Sequence, residues 1–533
     1  MTPFGKILKF GFYDAQQIER LKNDFSLSVS SLFLQYCANY YKKQARRDPY
    51  IEELKLLERL SVSLQNAPEL IAVQELYTND LAVAETYRDM MQKRRELMGD
   101  RSVPITAGEL STLANNTLLR VGKKPSQPFP LTVLEKGRLL QIPAAYDRIP
   151  KSDDAFLLLS VPNQEEADLD GLFARNAFSS SIKSIQRIKN GGVILALLRE
   201  CDAFRIDLDT LCDEGDSLFA SILTEAFIGS YLIRIPRDAQ EKVIATAQEH
   251  GICAKVIAHA DKGGCMTALC QQKELFSLDT AFLKTLFSQR KISAKLQNEK
   301  DGSLLPHGME SNLLPLEDFC CNQTSCASQN AFFTNAFYTA LLAIVRQCLC
   351  GSDYADQQIS VELRIPERLD EKTSGAYLST LIGLYRLQAE LGILSAAPST
   401  VTDGQIDSPT LSVFSLGKGK PLPCRLQATG SYVYLLRIAT TENRLPDFDE
   451  LRKQLWEISQ WRRNGSLRSA CAVCGDSPED ALRFLSQGDL ICSFDENTFR
   501  ELPQSPVSVI VESAFPLETA HYMGTVTKKE EVL

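Results

Sequence analysis

Apolar residues recur along this chain with two periods, and those periods sort most of it into strands and helices. Ala155–Val161, Phe204–Leu208, Tyr231–Ile235, Cys253–His259, Ile359–Ile365, Thr410–Ser415 and Tyr432–Ile438 are short apolar runs of the length expected for buried strands. Residues 26–97 read as helical. Leu32, Phe33, Tyr36, Tyr40 and Tyr41 fall at helical spacing. Asp48-Pro49 restarts the chain, with Asp48 as N-cap and Pro49 at the first helical position. Leu54, Leu57, Leu60 and Leu64 form the apolar stripe of that second helix, and Pro68–Met98 reads as a third, ended by Gly99. Further helices are expected at Asp168–Arg187, Val193–Glu200, Asp238–His250, Thr280–Arg290, Ala331–Cys348, Gly375–Leu391 and Asp447–Arg463. Gly251 ends the third of these, Asp238–His250, because glycine takes the left-handed conformation a helix end requires. Residues 100–150 carry little pattern, and 291–329, rich in Asn, Gln, Ser, Gly and Pro, are the best linker candidate.

A chain of 533 residues implies three to five domains, at roughly 100–200 residues each. Hydrophobic residues make up 44% and charged residues 23%, an ordinary globular composition. The net charge of -9 argues against nucleic acid and anionic membrane as partners, since both select for a basic surface. No apolar run reaches the roughly 20 residues that span a bilayer. Lys6 and Lys9 interrupt the apolar start, Met1–Phe12, which lacks a small-residue cleavage site and so does not read as a signal peptide. The 15 cysteines are an odd number, and Cys37, Cys253 and Cys348 sit in apolar segments. Reduced, buried thiols in a cytoplasmic protein are the expectation.

The two halves of the chain resemble one another. Phe156–Val161, then Asp168-Leu169-Asp170 and a helix into Asn190-Gly191-Gly192, parallel Tyr432–Ile438, then Asp447-Phe448-Asp449 and a helix into Asn464-Gly465. Val256–His259 parallels Tyr522–Val526. The offset is roughly 265–280 residues each time, and an internal repeat outranks any local reading.

Several stretches resemble the aminoimidazole ribonucleotide synthetase superfamily and, within it, phosphoribosylformylglycinamidine synthase. Tyr41-Lys42-Lys43, Arg47-Asp48-Pro49 and Glu53-Leu54-Lys55-Leu56-Leu57 look like that family's approach to its first catalytic motif. Asn190-Gly191-Gly192 through Leu198, Ile206-Asp207-Leu208 and Thr224-Glu225 look like the start of its C-terminal-type domain. Leu384–Leu391, Ile406–Phe414, Val507–Ser513 and Met523–Thr527 resemble segments of its second half. The resemblance implies an α/β fold with α+β character: a helical N-terminal module and two tandem synthetase-like units forming an internal pseudo-dimer. The boundaries it implies are a helical module over 1–100, a reduced N-terminal-type domain over 101–165 and a C-terminal-type domain over 166–292. A linker over 293–329 follows, then the second pair of domains over 330–440 and 441–533. The family is an ATP-dependent C–N ligase that uses magnesium. It activates the amide oxygen of formylglycinamide ribonucleotide by phosphorylation before ammonia attacks.

The departures bear on activity. Where the family has a His-Cys-Arg-His cluster, this chain has Leu64, Gln65, Asn66 and Ala67. Its four histidines, His250, His259, His307 and His521, all lie elsewhere. The family's Gly-Gly-Lys-Asp-Ser phosphate loop is replaced by Leu394-Ser395-Ala396-Ala397-Pro398-Ser399. A phosphate cradle needs converging backbone N–H groups, and Pro398 removes one. The family's Asp-Gly-Gly reads Cys474-Gly475-Asp476, and no glutaminase segment is expected within a chain ending at Leu533. These losses leave no catalytic residue to nominate, no motif for ATP or magnesium, and no metal site.

The remaining candidates are modest. Gly191 and Gly192, at a helix start, are a candidate anion site through backbone N–H groups and the helix dipole, or a tight packing turn. Glu225 matches a family glutamate, although the following Arg is replaced within Gly229-Ser230-Tyr231. Arg187 and Lys189 are within sequence reach of a phosphate or form a solvated helix end. Cys471 and Cys474, with Cys492, lack the second pair a zinc site needs, and Cys320, Cys321, Cys326, Cys348 and Cys350 follow no zinc spacing. Two functions are therefore expected: a degenerate, non-catalytic scaffold or regulatory subunit pairing with a glutaminase or an intact synthase, or an active ATP-dependent synthase fed ammonia by a separate glutaminase.

Overall fold

The computed structural model describes residues 7–65, 72–98, 105–123, 131–134, 138–141, 152–160, 171–172, 178, 181–189, 191–211, 219–287, 291–295, 312–316, 319–327, 331–366, 369–395, 399–441, 443–474, 478–494 and 505–529. The chain opens with α1 (Ala15–Asp24), α2 (Ser31–Tyr40) and α3 (Ile51–Gln65). Asp14 and Gln17 start α1 with a reciprocal capping box. The helix expected over Pro68–Met98 is two elements, strand β1 (Ala72–Tyr77) and helix α4 (Leu81–Met98). Asp80 sets the break: its carboxylate accepts from the N–H groups of Ala82 (3.1 Å) and Val83 (3.3 Å), so the helix begins there. Residues 100–150, which carry little pattern, nonetheless hold β2 (Ile105–Thr106), α5 (Ala107–Arg120), β3 (Leu131–Leu134) and β4 (Arg138–Gln141). The run at 155 becomes β5 (Ala155–Ser160). The helix expected over Asp168–Arg187 ends differently: β6 (Ser184–Arg187) is a strand, because its backbone pairs with Tyr231–Ile235. Asp168–Asp170 and Asn190 lie outside the described residues.

Then come α6 (Gly192–Glu200), β7 (Phe204–Asp207), a π turn at Ile222–Ala226, β8 (Tyr231–Ile235), α7 (Gln240–Glu249), β9 (Cys253–Ala260), β10 (Cys265–Cys270), β11 (Lys273–Asp279) and α8 (Thr280–Phe287). Gly251 has φ +69°, the conformation expected of it. The expected linker carries three strands, β12 (Lys291–Lys295), β13 (Asn312–Leu316) and β14 (Phe319–Ala327). Polar side chains do not prevent pairing, since the ladder is made by backbone: β14 pairs with residues 410–418 over its whole length. The rest comprises α9 (Phe332–Leu349), β15 (Gln358–Pro366), α10 (Glu371–Leu391), β16 (Leu394–Ser395), β17 (Ser399–Asp403), β18 (Thr410–Lys418), β19 (Tyr432–Ile438), α11 (Phe448–Arg463), β20 (Leu467–Cys474), α12 (Pro478–Leu485), β21 (Leu490–Ser493), β22 (Val507–Ser513) and β23 (His521–Lys528).

The chain divides into two compact units. Unit 1 holds Met1–Ile71 and Leu140–Arg290. Its sheet runs β11-β10-β7-β9-β5-β8-β6, antiparallel except for β10 with β7. Phe156 and Leu158 on β5, with Leu232 and Ile257, share a core with α6 and with Phe10, Leu34, Tyr41 and Leu57 of the N-terminal helices. The Tyr40 ring stacks on Phe282, and its hydroxyl accepts from the Asp279 N–H at 3.0 Å, which seats α2 on the start of α8.

Unit 2 holds Ala72–Leu139 and Lys291–Leu533. One sheet runs β13-β14-β18-β15-β16, with β17 also on β15, and β1 pairs in parallel with β12. Helix α9 has the length and composition of a membrane span, yet 94% of it is buried inside the unit, as befits a core helix. Gly383 lets α10 close on it: a Cβ there would lie 2.3 Å from the Phe333 carbonyl oxygen. A second sheet runs β20-β22-β19-β23-β21.

The repeat lies in strand order. The series β7-β9-β5-β8-β6 of unit 1 and β21-β23-β19-β22-β20 of unit 2 place their strands in one order by chain position: third, fifth, first, fourth, second. All four pairings are antiparallel in each. A helix joins second to third strand in both, α6 in one and α12 in the other. The equivalence expected between Asn190-Gly191-Gly192 and Asn464-Gly465 does not hold, because the first follows the second strand of its sheet and the other precedes it. The chemical reason is that each glycine answers a local turn, so glycine pairs do not track the repeat.

Candidate functional site

The sequence nominates a small region of unit 1, and the structure brings its members together. Gly191 (φ +93°) and Gly192 (φ +60°) turn the chain into α6. The Gly192 N–H donates to the Lys189 carbonyl at 2.9 Å, so that donor is already engaged. A Cβ on Gly192 would sit 2.3 Å from the Leu223 carbonyl oxygen and 2.5 Å from the Thr224 carbonyl carbon. The glycine therefore lets α6, buried along Gly192–Leu198, press against the π turn. Glu225 lies on that same turn. It forms an ion pair with Arg59 of α3 and accepts from the Ser221 hydroxyl at 3.3 Å. Glu225 is 55% and Arg59 35% exposed, so solvent screens the pair. Arg187 donates to the Gly229 carbonyl at 3.2 Å, where it braces the loop ahead of β8. The side chains of Leu64 and Gln65, and all of Asn66 and Ala67, lie outside the described residues.

The second region singled out by the sequence is Leu394–Ser399. Leu394 and Ser395 form β16, paired in parallel with Gln358 and Ile359 of β15. Asn115, on α5 and 1% exposed, holds the segment from the other side. Its amide nitrogen donates to the Ser395 carbonyl at 2.5 Å, and the Ser395 N–H donates to its amide oxygen at 2.8 Å. Gln388 adds a donor to the same oxygen at 3.5 Å. The asparagine thus acts as a one-residue strand, and both backbone groups of Ser395 are consumed within the protein. Ala396, Ala397 and Pro398 lie outside the described residues.

Among the described residues no group of three or more His, Cys, Asp or Glu is placed to hold a metal ion. Cys471 and Cys492 are buried on β20 and β21, and burial pushes the Cys492 thiol up to about 12, away from the thiolate a zinc site uses. Cys348 and Cys350 are buried at the end of α9. The side chains of Cys320, Cys321, Cys326 and Cys474, and Gly475 and Asp476, lie outside the described residues. His259 is half-buried on β9, and its imidazole is held below its ordinary value first by burial and then by the nearby Arg237. His521 starts β23 at the surface, while His307 lies outside the described residues.

Sequence reasoning passed over the buried charges. Glu53 is fully buried in α3 and takes both guanidinium branches of Arg47, the Tyr50 N–H at 2.8 Å completing its contacts. Arg47 also donates to the Ser277 carbonyl at 2.8 Å, which ties the turn before α3 to β11. Burial alone would lower the Arg47 guanidinium, yet the hydrogen bond and charge of Glu53 hold it above its ordinary value. In the sheet of unit 1, Arg234 (2% exposed) lies between Asp154 at 3.6 Å and Glu200 at 3.5 Å, and Lys183 reaches Asp154 at 2.6 Å. In the repeated sheet of unit 2, Glu512 is fully buried and accepts from the N–H groups of Gln427 (2.7 Å) and Ala428 (2.9 Å) and from the Ser469 hydroxyl (2.8 Å). The available sequence signal was a charged residue inside an otherwise apolar strand run.

These features define a two-unit α/β protein built on a repeated five-stranded antiparallel sheet. No protein-family model matches the sequence, and no curated protein does. Among solved structures, the chain is similar to phosphoribosylformylglycinamidine synthase II from Thermotoga maritima, at 12% identity over 92% of this chain and 99% of that one, with a TM-score of 0.49. It is similar also to T. maritima PurL complexed with ADP, at 11% identity, the same coverage and a TM-score of 0.49. A shorter likeness is to thiamine monophosphate kinase from Aquifex aeolicus, at 10% identity over 41% of this chain and 88% of that one, with a TM-score of 0.28. At such identities no activity, ligand or partner passes from those proteins to this chain.

Proposed function

We propose that this chain is a phosphoribosylformylglycinamidine synthase-like protein of purine nucleotide biosynthesis that no longer catalyses the reaction, and that it serves as a scaffold or regulatory subunit for a glutaminase or an intact synthase. The observation that carries this reading is the Asn115 clamp on Ser395. Phosphoryl transfer depends on positioning and on charge stabilisation around the transferred group. A segment whose N–H and carbonyl both face a buried asparagine does not fit a nucleotide phosphate. Leu64, Gln65, Asn66 and Ala67, standing where the resemblance places a reactive cluster, support the same reading.

The test supplies the full chain with formylglycinamide ribonucleotide, ATP, magnesium and a high concentration of ammonium, and follows ADP. ADP at the no-protein background is expected. Turnover above that background, dependent on the ribonucleotide, would favour an active synthase that draws ammonia from a separate glutaminase. A parallel arm adds a purified glutaminase or intact synthase and reads the change in that partner's own rate. The scaffold reading expects a change; the same rate with and without the chain removes the regulatory role.

A further inference from the structure

The ends of α9, β18 and α11 meet in unit 2, away from the segments discussed above, and line an open cavity of about 400 Å³. That volume lies within the range of small-molecule sites. Helix α9 runs out at Cys350 and turns through Gly351 (φ +95°) into Ser352. Strand β18 ends at Lys418 and turns through Gly419 onto Lys420, and α11 ends at Arg462 and Arg463. Gly419 permits the closest approach, since a Cβ there would lie 2.1 Å from the Cys350 carbonyl oxygen. The Lys420 N–H donates to that oxygen at 3.0 Å. Arg463 donates through Nε to the Gly351 carbonyl at 2.9 Å, and Arg462 donates to the Lys420 carbonyl at 3.3 Å.

Four cationic side chains, Lys418, Lys420, Arg462 and Arg463, thus line one cavity of a protein whose net charge is -9. Asp353 and Asp356 line it too. The Asp353 carboxylate caps the following turn by accepting from the Ala355 N–H at 3.0 Å. Among the described residues, Lys420, Arg462 and Arg463 have no carboxylate at ion-pair distance. At the end of α9 the Gln347 and Cys348 carbonyls are met by the N–H groups of Cys350, Gly351 and Ser352, while the Cys350 and Gly351 carbonyls take the Lys420 N–H and Arg463 Nε. Ser352 closes one wall, its hydroxyl packed against Gly417, whose added Cβ would lie 2.0 Å from that oxygen. The Arg462 Nε is buried without an acceptor.

We propose that this cavity binds the phosphate groups of a small phosphorylated molecule. Arg462, Arg463 and Lys420 would supply the positive charge. Arginine suits this task because its planar fork matches phosphate oxygens. The site does not depend on the proposal about catalysis, since it lies on other elements and asks nothing of Leu394–Ser399.

The experiment is isothermal titration of the full chain with inorganic pyrophosphate at low and at physiological salt, with sulfate as a comparison anion. One saturable site per chain is expected, weaker at the higher salt and at least tenfold weaker for sulfate. Lys420→Glu, an exposed change that removes no cap, is expected to weaken pyrophosphate at least tenfold. Lys255→Ala in unit 1 is the charge control and leaves affinity unchanged. Circular dichroism establishes that each variant is folded. No saturable binding, equal affinity for sulfate, or a folded Lys420→Glu chain that binds like the parent would each overturn the proposal.

Discussion

The two five-stranded sheets share their strand order, and they differ in what they bury at one rung. In unit 1, Phe156 of the first strand and Ser184 of the second both stand opposite Arg234 of the fourth. In unit 2, Val433 and Ser469 stand opposite Glu512 at the same rung. A buried cation in one sheet is thus a buried anion in the other, each one residue from the end of its strand. Unit 1 answers its arginine with carboxylates, Asp154 just before the first strand and Glu200 at the end of α6. Unit 2 answers its glutamate with two backbone N–H groups and a hydroxyl. The rung tolerates either sign because the chain just outside the sheet supplies the complement. The sheets also differ in their connections: α7 joins the fourth and fifth strands in unit 1, and a short loop does so in unit 2. Strand order is therefore the more durable record of the repeat, while helices and charges are replaced.

Substitutions at the rung break this comparison most sharply. Arg234→Met leaves Asp154 and Glu200 beside an uncharged side chain, and we expect unit 1 to lose about 3–5 kcal/mol. Hydrogen exchange read separately on β5–β9 and β19–β23 should place that loss chiefly in unit 1, where the broken contacts lie. Glu512→Ala strips the acceptor from three donors and should cost unit 2 about 2–3 kcal/mol, with Glu512→Gln recovering roughly half by keeping one oxygen in place. If both variants leave exchange in their own sheets unchanged, the rung has no structural role. Gly192→Ala forces a Cβ into the Leu223 carbonyl from a left-handed backbone, and a loss of about 1–3 kcal/mol in thermal or urea unfolding is expected.

The smallest effect is a pH dependence confined to unit 1. Burial and Arg237, only partly offset by Asp153 and Asp207, hold folded His259 below its ordinary value of 6.5. The unfolded chain therefore binds the proton more readily. Its contribution to stability is complete above about pH 6.5 and falls as pH drops through the window beneath that value. His259→Gln should flatten this slope, which unfolding measured from pH 5 to 8 would detect.

Much of the sheet framework was legible because buried strands leave unbroken apolar runs. Tyr231–Ile235 and Tyr432–Ile438 begin and end where their sequences suggest. The misread segments owe their structure to distant partners. β1 sits inside what looks like one long helix and pairs with β12, more than two hundred residues on. β14 carries Asn, Gln, Thr and Ser, and no local period marks it. The Leu394–Ser399 segment could be singled out in the sequence, whereas its clamp could not, since Asn115 and Ser395 lie 280 residues apart. Gly417-Lys418-Gly419-Lys420 did offer a visible signal, an alternation of glycine and lysine at a strand end.

The claim on which the account turns is that this framework outlasted its reaction. The most direct measurement is a single-turnover one: the full chain at a concentration matching that of formylglycinamide ribonucleotide, with labelled ATP, magnesium and ammonium, followed for hours. The account predicts that labelled phosphate release keeps the rate seen without protein and that no formylglycinamidine ribonucleotide forms. One equivalent of that product per chain would contradict it.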